Sequence, residues 1–351
     1  MPRISDRSIA ANQLAQMLAP GIPLSALALY SRWWGLEAWL RELAYIKLRS
    51  KFGPRWQGEV SNAAARRRDK DQALAYMRSQ DVANLLAYED TGLLFQLIDE
   101  LWDIFQPSLL LSQAQWTARS EELREIRNRI GHCRDPHRDD IARVEQTMKD
   151  LEQGAWEAVS TYNDTISIER ELDDPVVDAW LREGCADARR LVGHAERSYD
   201  TSFTLEYSVR PWVTPPAIAG TSPLCGREGV LWSIRFLLRR NRVDPRQLLM
   251  QWNEHNPMPE CVVHLLANDP AHLRFTISSL EDPIVVIETI GELFDIVLTC
   301  AAQWSDYSGD VSAWHQAIGR LDHRAQSDTR LAIVSSDLPH FPILLTSFWT
   351  G

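Results

Sequence analysis

The chain lacks several features that would each mark a class of protein. Apolar runs such as Ile284–Ile287 and Ile343–Leu345 fall far short of the ~18 residues that a membrane-spanning helix needs, so no membrane association is expected. The N-terminus has no apolar core of the kind that marks a secretory signal. Of the five cysteines (Cys133, Cys185, Cys225, Cys261, Cys300), none forms a Cys-x-x-Cys pair. Scattered single cysteines predict reduced thiols in a cytoplasmic protein and argue against a zinc site. Gly 16 and Pro 18 in 351 residues exclude collagen-like and low-complexity architectures. No Gly-rich phosphate loop, nucleophile elbow or paired-carboxylate constellation is present.

Lysine is scarce. The chain has four (Lys47, Lys51, Lys70, Lys149), all in the first half, against 33 arginines. Charge is divided unevenly: residues 1–162 carry 21 basic and 22 acidic side chains, whereas residues 163–351 carry 16 and 26. The acidic second half would repel phosphate, so any nucleic-acid contact is expected in the first.

Periodicity changes at the same boundary. Trp33, Leu36, Leu40 and Leu43 predict a helix over 23–52. Leu94, Leu97, Leu101 and Phe105 predict a second, stopped by Pro107. A third is expected over 113–133, with Trp116, Leu123, Ile126 and Ile130 on its apolar face. A fourth is expected to start after Asp135-Pro136. Shorter helices are expected near residues 5–18 and 62–77. After Asn163 the texture is mixed. Asp173-Asp174-Pro175 predicts a helix to about His194, and Pro283 another to about Ala302. Strand-like runs lie at 202–209, 230–238, 261–266 and 273–277, the last two a hairpin around Asn268-Asp269-Pro270, and at 331–334. The expected organisation is an all-α bundle over 1–164 followed by an α+β domain over 165–351.

The segment richest in chemistry is Arg124-Glu125-Ile126-Arg127-Asn128-Arg129-Ile130-Gly131-His132. Asn128 and His132 are four apart and share a helix face. Arg127 lies about 140° from His132 around the axis, but its long side chain can reach round. An imidazole, a guanidinium and an amide gathered there can move a proton and stabilise a developing phosphate charge. Spacing alone is weak, since chance supplies about one Arg-x4-His in a chain of this composition. A second copy, Arg189 to His194, has Arg190 where Asn128 stands in the first. His132-Cys133 with His137 matches no tetrahedral metal pattern.

In context, Arg127-Asn128-x3-His132 resembles the hallmark of the HEPN superfamily, a helical bundle. The similarity extends to Trp33-Trp34-Gly35-Leu36-Glu37-Ala38-Trp39-Leu40-Arg41-Glu42-Leu43 and to Phe52-Gly53-x-x-Trp56, covering about residues 20–160. The resemblance implies a metal-independent endoribonuclease that needs no cofactor and acts as a homodimer whose composite groove joins two Arg/His pairs. By that analogy His132 would handle the 2′-OH proton, Arg127 would stabilise the phosphorane, and Asn128 would orient them. Glu37 and Arg41 would support the site. Arg66, Arg67, Arg68, Lys70, Arg124, Arg129 and Arg134 would hold RNA. Such domains serve as toxins and anti-phage effectors acting on tRNA or other structured RNA. Some relatives carry a Tyr two residues after the His that a partner enzyme modifies; Arg134 stands there here, so that control is not expected. Residues 165–351 would bind a trigger or regulatory partner. A non-catalytic dimerisation or RNA-holding scaffold, or a subunit of a larger defence complex, is the alternative.

Overall fold

The computed structural model describes residues 23–74, 76, 85–160, 162, 164–182, 184–213, 223–243, 248, 261–269, 271–301, 331–334 and 343–346. The helix expected near 5–18 lies outside them. The bundle comprises α1 (Leu24–Phe52), α2 (Asn62–Gln72), α3 (Thr91–Glu100), α4 (Trp102–Leu109), α5 (Gln113–Gly131) and α6 (Asp140–Ser160), with 3-10 segments at Gly53–Glu59 and Leu85–Tyr88. The second half follows as β1 (Ile166–Ser167), α7 (Pro175–Leu181), α8 (Ala186–Tyr199), β2 (Thr201–Val209), β3 (Val230–Leu238), β4 (Val262–Asp269), β5 (His272–Ser278), α9 (Pro283–Ala301), β6 (Leu331–Val334) and β7 (Ile343–Thr346). The architecture is a helical bundle followed by an α+β region. Among the described residues no helix is long and apolar enough to cross a membrane, and all five cysteines are free thiols.

Three boundaries differ from expectation. Pro107 does not stop a helix: the break falls at Leu101, and Pro107 sits inside α4, which is capped by Leu110 in the left-handed conformation. The fourth helix begins at Asp140 and not behind Pro136, because the Asp140 carboxylate accepts the His137 N–H. The expected 175–194 helix is two, α7 and α8. The Gly184 N–H closes the first on the Asp178 carbonyl, where a Cβ would meet that oxygen at 2.9 Å.

The sheet runs β1-β2-β3-β5-β4-β7-β6, antiparallel throughout except for the parallel β4–β7 pair. One face, with Leu205, Trp232, Ile234, Phe236, Phe275 and Ile277, forms a core with α7, α8 and α9. The other face meets the bundle. Leu231, Val263 and Leu266 belong to the same core as Leu40, Leu43, Phe95, Trp116 and Ile126. Between the two layers, α1 is buried at every residue from Glu42 to Ser50. Several of the polar groups this encloses are partnered across the seam, although Arg49 Nε is buried without a hydrogen bond among the described residues. Tyr45 donates to the Val262 carbonyl (3.4 Å), Ser50 hydrogen-bonds Tyr162 (3.1 Å), and Arg49 pairs with Glu281 at 2.8 Å. Trp33 is in the core, whereas Trp34 is exposed beside Tyr30.

The sheet side of this seam also carries a polar row. Glu206, Ser233, Thr276 and His264 stand in one row across β2, β3, β5 and β4. The buried His264 ring packs edge-on to Tyr162 at 4.3 Å, and Arg210 lies over the Tyr162 ring at 3.6 Å. Burial, reinforced by Arg210, Arg274 and Lys47, pushes the His264 pKa down to about 3. Burial, with Arg210 beside it, pushes Lys47 down to about 7. A lysine held below its unfolded value makes the unfolded chain bind the extra proton between about pH 7 and pH 10.5, so stability rises with pH across that window. Replacing Lys47 by Met should therefore stabilise the protein, on the order of 1–4 kcal/mol. The gain should be largest below pH 7 and vanish toward pH 10.5, as read by thermal melts across that range.

Candidate active site

Helix α5 is built to present its C-terminal end. Ser112 and Gln115 start it with reciprocal capping bonds. Trp116, Leu123 and Ile126 are fully buried against the bundle, Trp116 meeting Phe95 edge-on at 5.5 Å. That anchored stripe leaves Arg127 exposed and Asn128 half-buried on the outer side.

His132 is the exposed cap residue of this helix. The chain then turns through Cys133, at φ 51°, so that the Cys133 N–H bonds the Ile130 carbonyl (3.1 Å) and the Arg134 N–H bonds the Arg129 carbonyl (2.9 Å). This is a Schellman closure with cysteine in the left-handed position that glycine usually fills. Gly131 bears on the site in a different way. The Arg127 guanidinium folds over the last turn so closely that a Cβ at Gly131 would lie 3.2 Å from Nη1, a tight contact that the side chain would relieve by shifting. This folding places Arg127 toward the end of the helix that carries His132, despite their angular offset.

The loop 132–139 is fastened behind the site. Arg129 donates through Nε (2.8 Å) and Nη2 (2.6 Å) to the two carboxylate oxygens of Asp140, which also accepts the His137 N–H at 2.9 Å. Burial would raise the Asp140 pKa, but the Arg129 and His137 hydrogen bonds outweigh it and hold the carboxyl below its ordinary value. Arg129 therefore closes the loop instead of reaching outward, unlike the RNA-holding role expected for it. Arg134, in contrast, is exposed.

Facing α5 is the start of α3. Asp90 caps it by accepting the Leu93 N–H (3.0 Å) and takes Arg67 Nη2 at 2.6 Å. Burial alone would raise the Asp90 pKa, but Leu93 and Arg67 together bring it below the usual carboxylate range. Asp90, Thr91 and Gly92 on one side and Arg124, Arg127 and Asn128 on the other line a cleft of about 290 Å³.

Glu37 and Arg41 stand behind that cleft. Glu37 accepts from Trp33 Nε1 (2.8 Å), Arg41 Nη2 (2.7 Å) and the Thr91 hydroxyl (2.9 Å), while Arg41 also donates to the Glu89 carbonyl. They fix the α3 wall through Thr91 and do not line the cleft. The basic run on α2 is divided: Arg67 joins Asp90, Arg68 joins Asp69, and Arg66 and Lys70 are exposed. Sequence reasoning missed Asp90, Thr91 and Gly92. The visible signal was an aspartate three residues before the apolar Leu93, an N-cap pattern. Among the described residues no group of three or more His, Cys, Asp or Glu could hold a metal ion.

Two substitutions test the construction of this end. Asp140→Asn should lose about 2 kcal/mol, the worth of hydrogen bonds to a charged group, and raise amide exchange across 132–139. Its missing stabilisation should disappear as pH falls through the folded-state pKa of Asp140, which lies below the usual value. Cys133→Gly should stabilise by about 1 kcal/mol by removing the left-handed penalty, seen as a higher Tm.

Residues 35–154 match the family model described as Swt1-like HEPN. No curated protein and no solved structure gives a match. The helical N-terminal region of this chain, carrying Arg127, Asn128 and His132, is thus similar to Swt1-like HEPN domains.

Proposed function

We propose that the N-terminal bundle is an endoribonuclease whose reacting groups are Arg127, Asn128 and His132. The observation that carries this reading is the guanidinium of Arg127 folded over Gly131, directly before His132, at a helix end closed by backbone bonds. An exposed imidazole at the cap of the helix whose last turn carries an exposed guanidinium suits attack of a ribose 2′-OH on the adjacent phosphorus. His132 takes the 2′-OH proton, the 2′-oxygen bonds to phosphorus, and the P–O5′ bond breaks. Arg127 stabilises the charge of the pentavalent phosphorane, and Asn128 holds a phosphate oxygen or the imidazole. A proton returned to the departing oxygen leaves a 5′-OH and a 2′,3′-cyclic phosphate, with no metal ion required by the scheme.

HEPN domains dimerise and bind RNA. Two copies meeting near the α5 ends would supply two Arg/His pairs to one groove, with exposed Arg66, Lys70 and Arg134 holding the backbone. On this reading the chain acts on tRNA or another structured RNA as a toxin or defence effector in the cytoplasm. Residues 165–351, whose sheet shares a core with the bundle, sense or recruit. Their contact with α1 through Arg49 and Glu281 offers a route by which they act on the bundle.

Incubating the purified chain with total tRNA in EDTA tests the assignment. Arg127→Ala and His132→Ala should each lower cleavage at least 100-fold, as expected when a charge-stabilising group or a general base is lost, with Tm unchanged. Gly131→Ala should also lower cleavage, by displacing the Arg127 guanidinium. Full activity in the Arg127 and His132 variants would refute the assignment.

A further inference from the structure

The cleft beside Arg127 and Asn128 has a chemical polarity that the cleavage reaction does not use. Its volume, about 290 Å³, is at the small end for ligand pockets, the scale of one nucleobase and not of an oligonucleotide. On the α3 side stands the Asp90 carboxylate, half exposed and held ionised by Leu93 and Arg67. On the α5 side stands Arg124, half-buried, its guanidinium 5.7 Å from the centre of the Phe95 ring. Arg124 Nε is buried and has no hydrogen-bond partner among the described residues. Gly92, between them, adds no side chain, so the wall stays open.

The Asp90 side of this cleft would repel a phosphate, which is left to Arg127 and Asn128 on the α5 wall. A base with donors on one edge and acceptors on another fits both walls. Guanine has that pattern. Its N1–H and N2–H2 face a carboxylate, and its N7 and O6 are the acceptors that arginine reads. Adenine puts an acceptor at N1, and cytosine and uracil each present one N–H group to a carboxylate.

We propose that the cleft formed by Asp90, Thr91, Gly92 and Arg124 binds a guanine base of the RNA next to the scissile phosphate, Asp90 taking its Watson–Crick donors and Arg124 its O6 and N7. The proposal rests on the cleavage site assigned above for its place in the RNA, but base binding itself does not require cleavage. An unstacked base in a single-stranded or looped segment is the form that can enter, as is usual in sequence-specific RNA recognition.

The test uses the full chain and uncleavable 2′-O-methyl tetranucleotides, uridine throughout or with one guanosine, adenosine or cytidine, with affinity read by fluorescence anisotropy. The guanosine oligonucleotide should bind about tenfold more tightly than the others, the discrimination a good bidentate contact gives. In Asp90→Asn, which keeps a capping side chain at the start of α3, that preference should fall below about threefold with Tm within a few degrees of the parent. Equal binding of all four, or a guanosine preference untouched in Asp90→Asn, would overturn the proposal. Mapping of cut sites separates the two readings. Cleavage without guanosine at either flanking position would refute the base pocket and leave the nuclease standing. Selective, Asp90-dependent guanosine binding by a chain that cuts no RNA would uphold the pocket and refute the nuclease.

Discussion

The C-terminal half of α1, sealed on every side from Glu42 to Ser50, is the constraint on which both layers of the molecule rest. A surface helix needs one apolar stripe, but a helix enclosed by a bundle on one side and a sheet on the other must satisfy every polar group it carries. Here Tyr45, Arg49 and Ser50 meet the Val262 carbonyl, Glu281 and Tyr162. Lys47 lies over the Trp212 ring, and burial, with Arg210 beside it, lowers its proton affinity. The seam thus combines apolar packing with a few specific polar pairs.

The same helix organises the candidate site at its other end. Glu37, one turn before Arg41, gathers Trp33, Arg41 and Thr91, and so fixes the start of α3 against the end of α5. On the α5 side the geometry is set by backbone closure at Cys133 and by the Arg129–Asp140 pair. Preorganisation of this kind matters for chemistry on a flexible polymer, since a guanidinium and an imidazole act together only if neither must be ordered on binding. The groups that touch solvent, Arg127 and His132, are supported by residues whose own conformations are already determined.

Much of this was legible in the sequence where local rules decide. Strand β3 was expected at its observed limits, and α1, α5 and α9 within a residue or two, because hydrophobic period and capping residues suffice there. The breaks were not. Leu101 carries no breaking residue, and Gly184 ends α7 through an approach to the Asp178 carbonyl that no local pattern reveals. Strand β7, which joins β4 in parallel, depends on a distant pairing. At the site, the expectation that Arg127, Asn128 and His132 act together came from spacing and family resemblance; Arg127 and Asn128 line the cleft and His132 caps the same helix. The commitment of Arg129 to Asp140, the Arg67–Asp90 link and the facing wall of α3 did not, since each joins residues more than ten apart. Family similarity covers residues 35–154, so the reading of the second half rests on its packing alone.

The end groups of the RNA fragments provide the most direct test of the central claim, that Arg127 and His132 promote attack by a ribose 2′-OH. A single defined tRNA, incubated with the full chain in EDTA, should yield fragments ending in 2′,3′-cyclic phosphate with 5′-OH on the downstream piece. Fragments with 3′-OH and 5′-phosphate ends would contradict the account, because water and not the 2′-oxygen would then be the nucleophile.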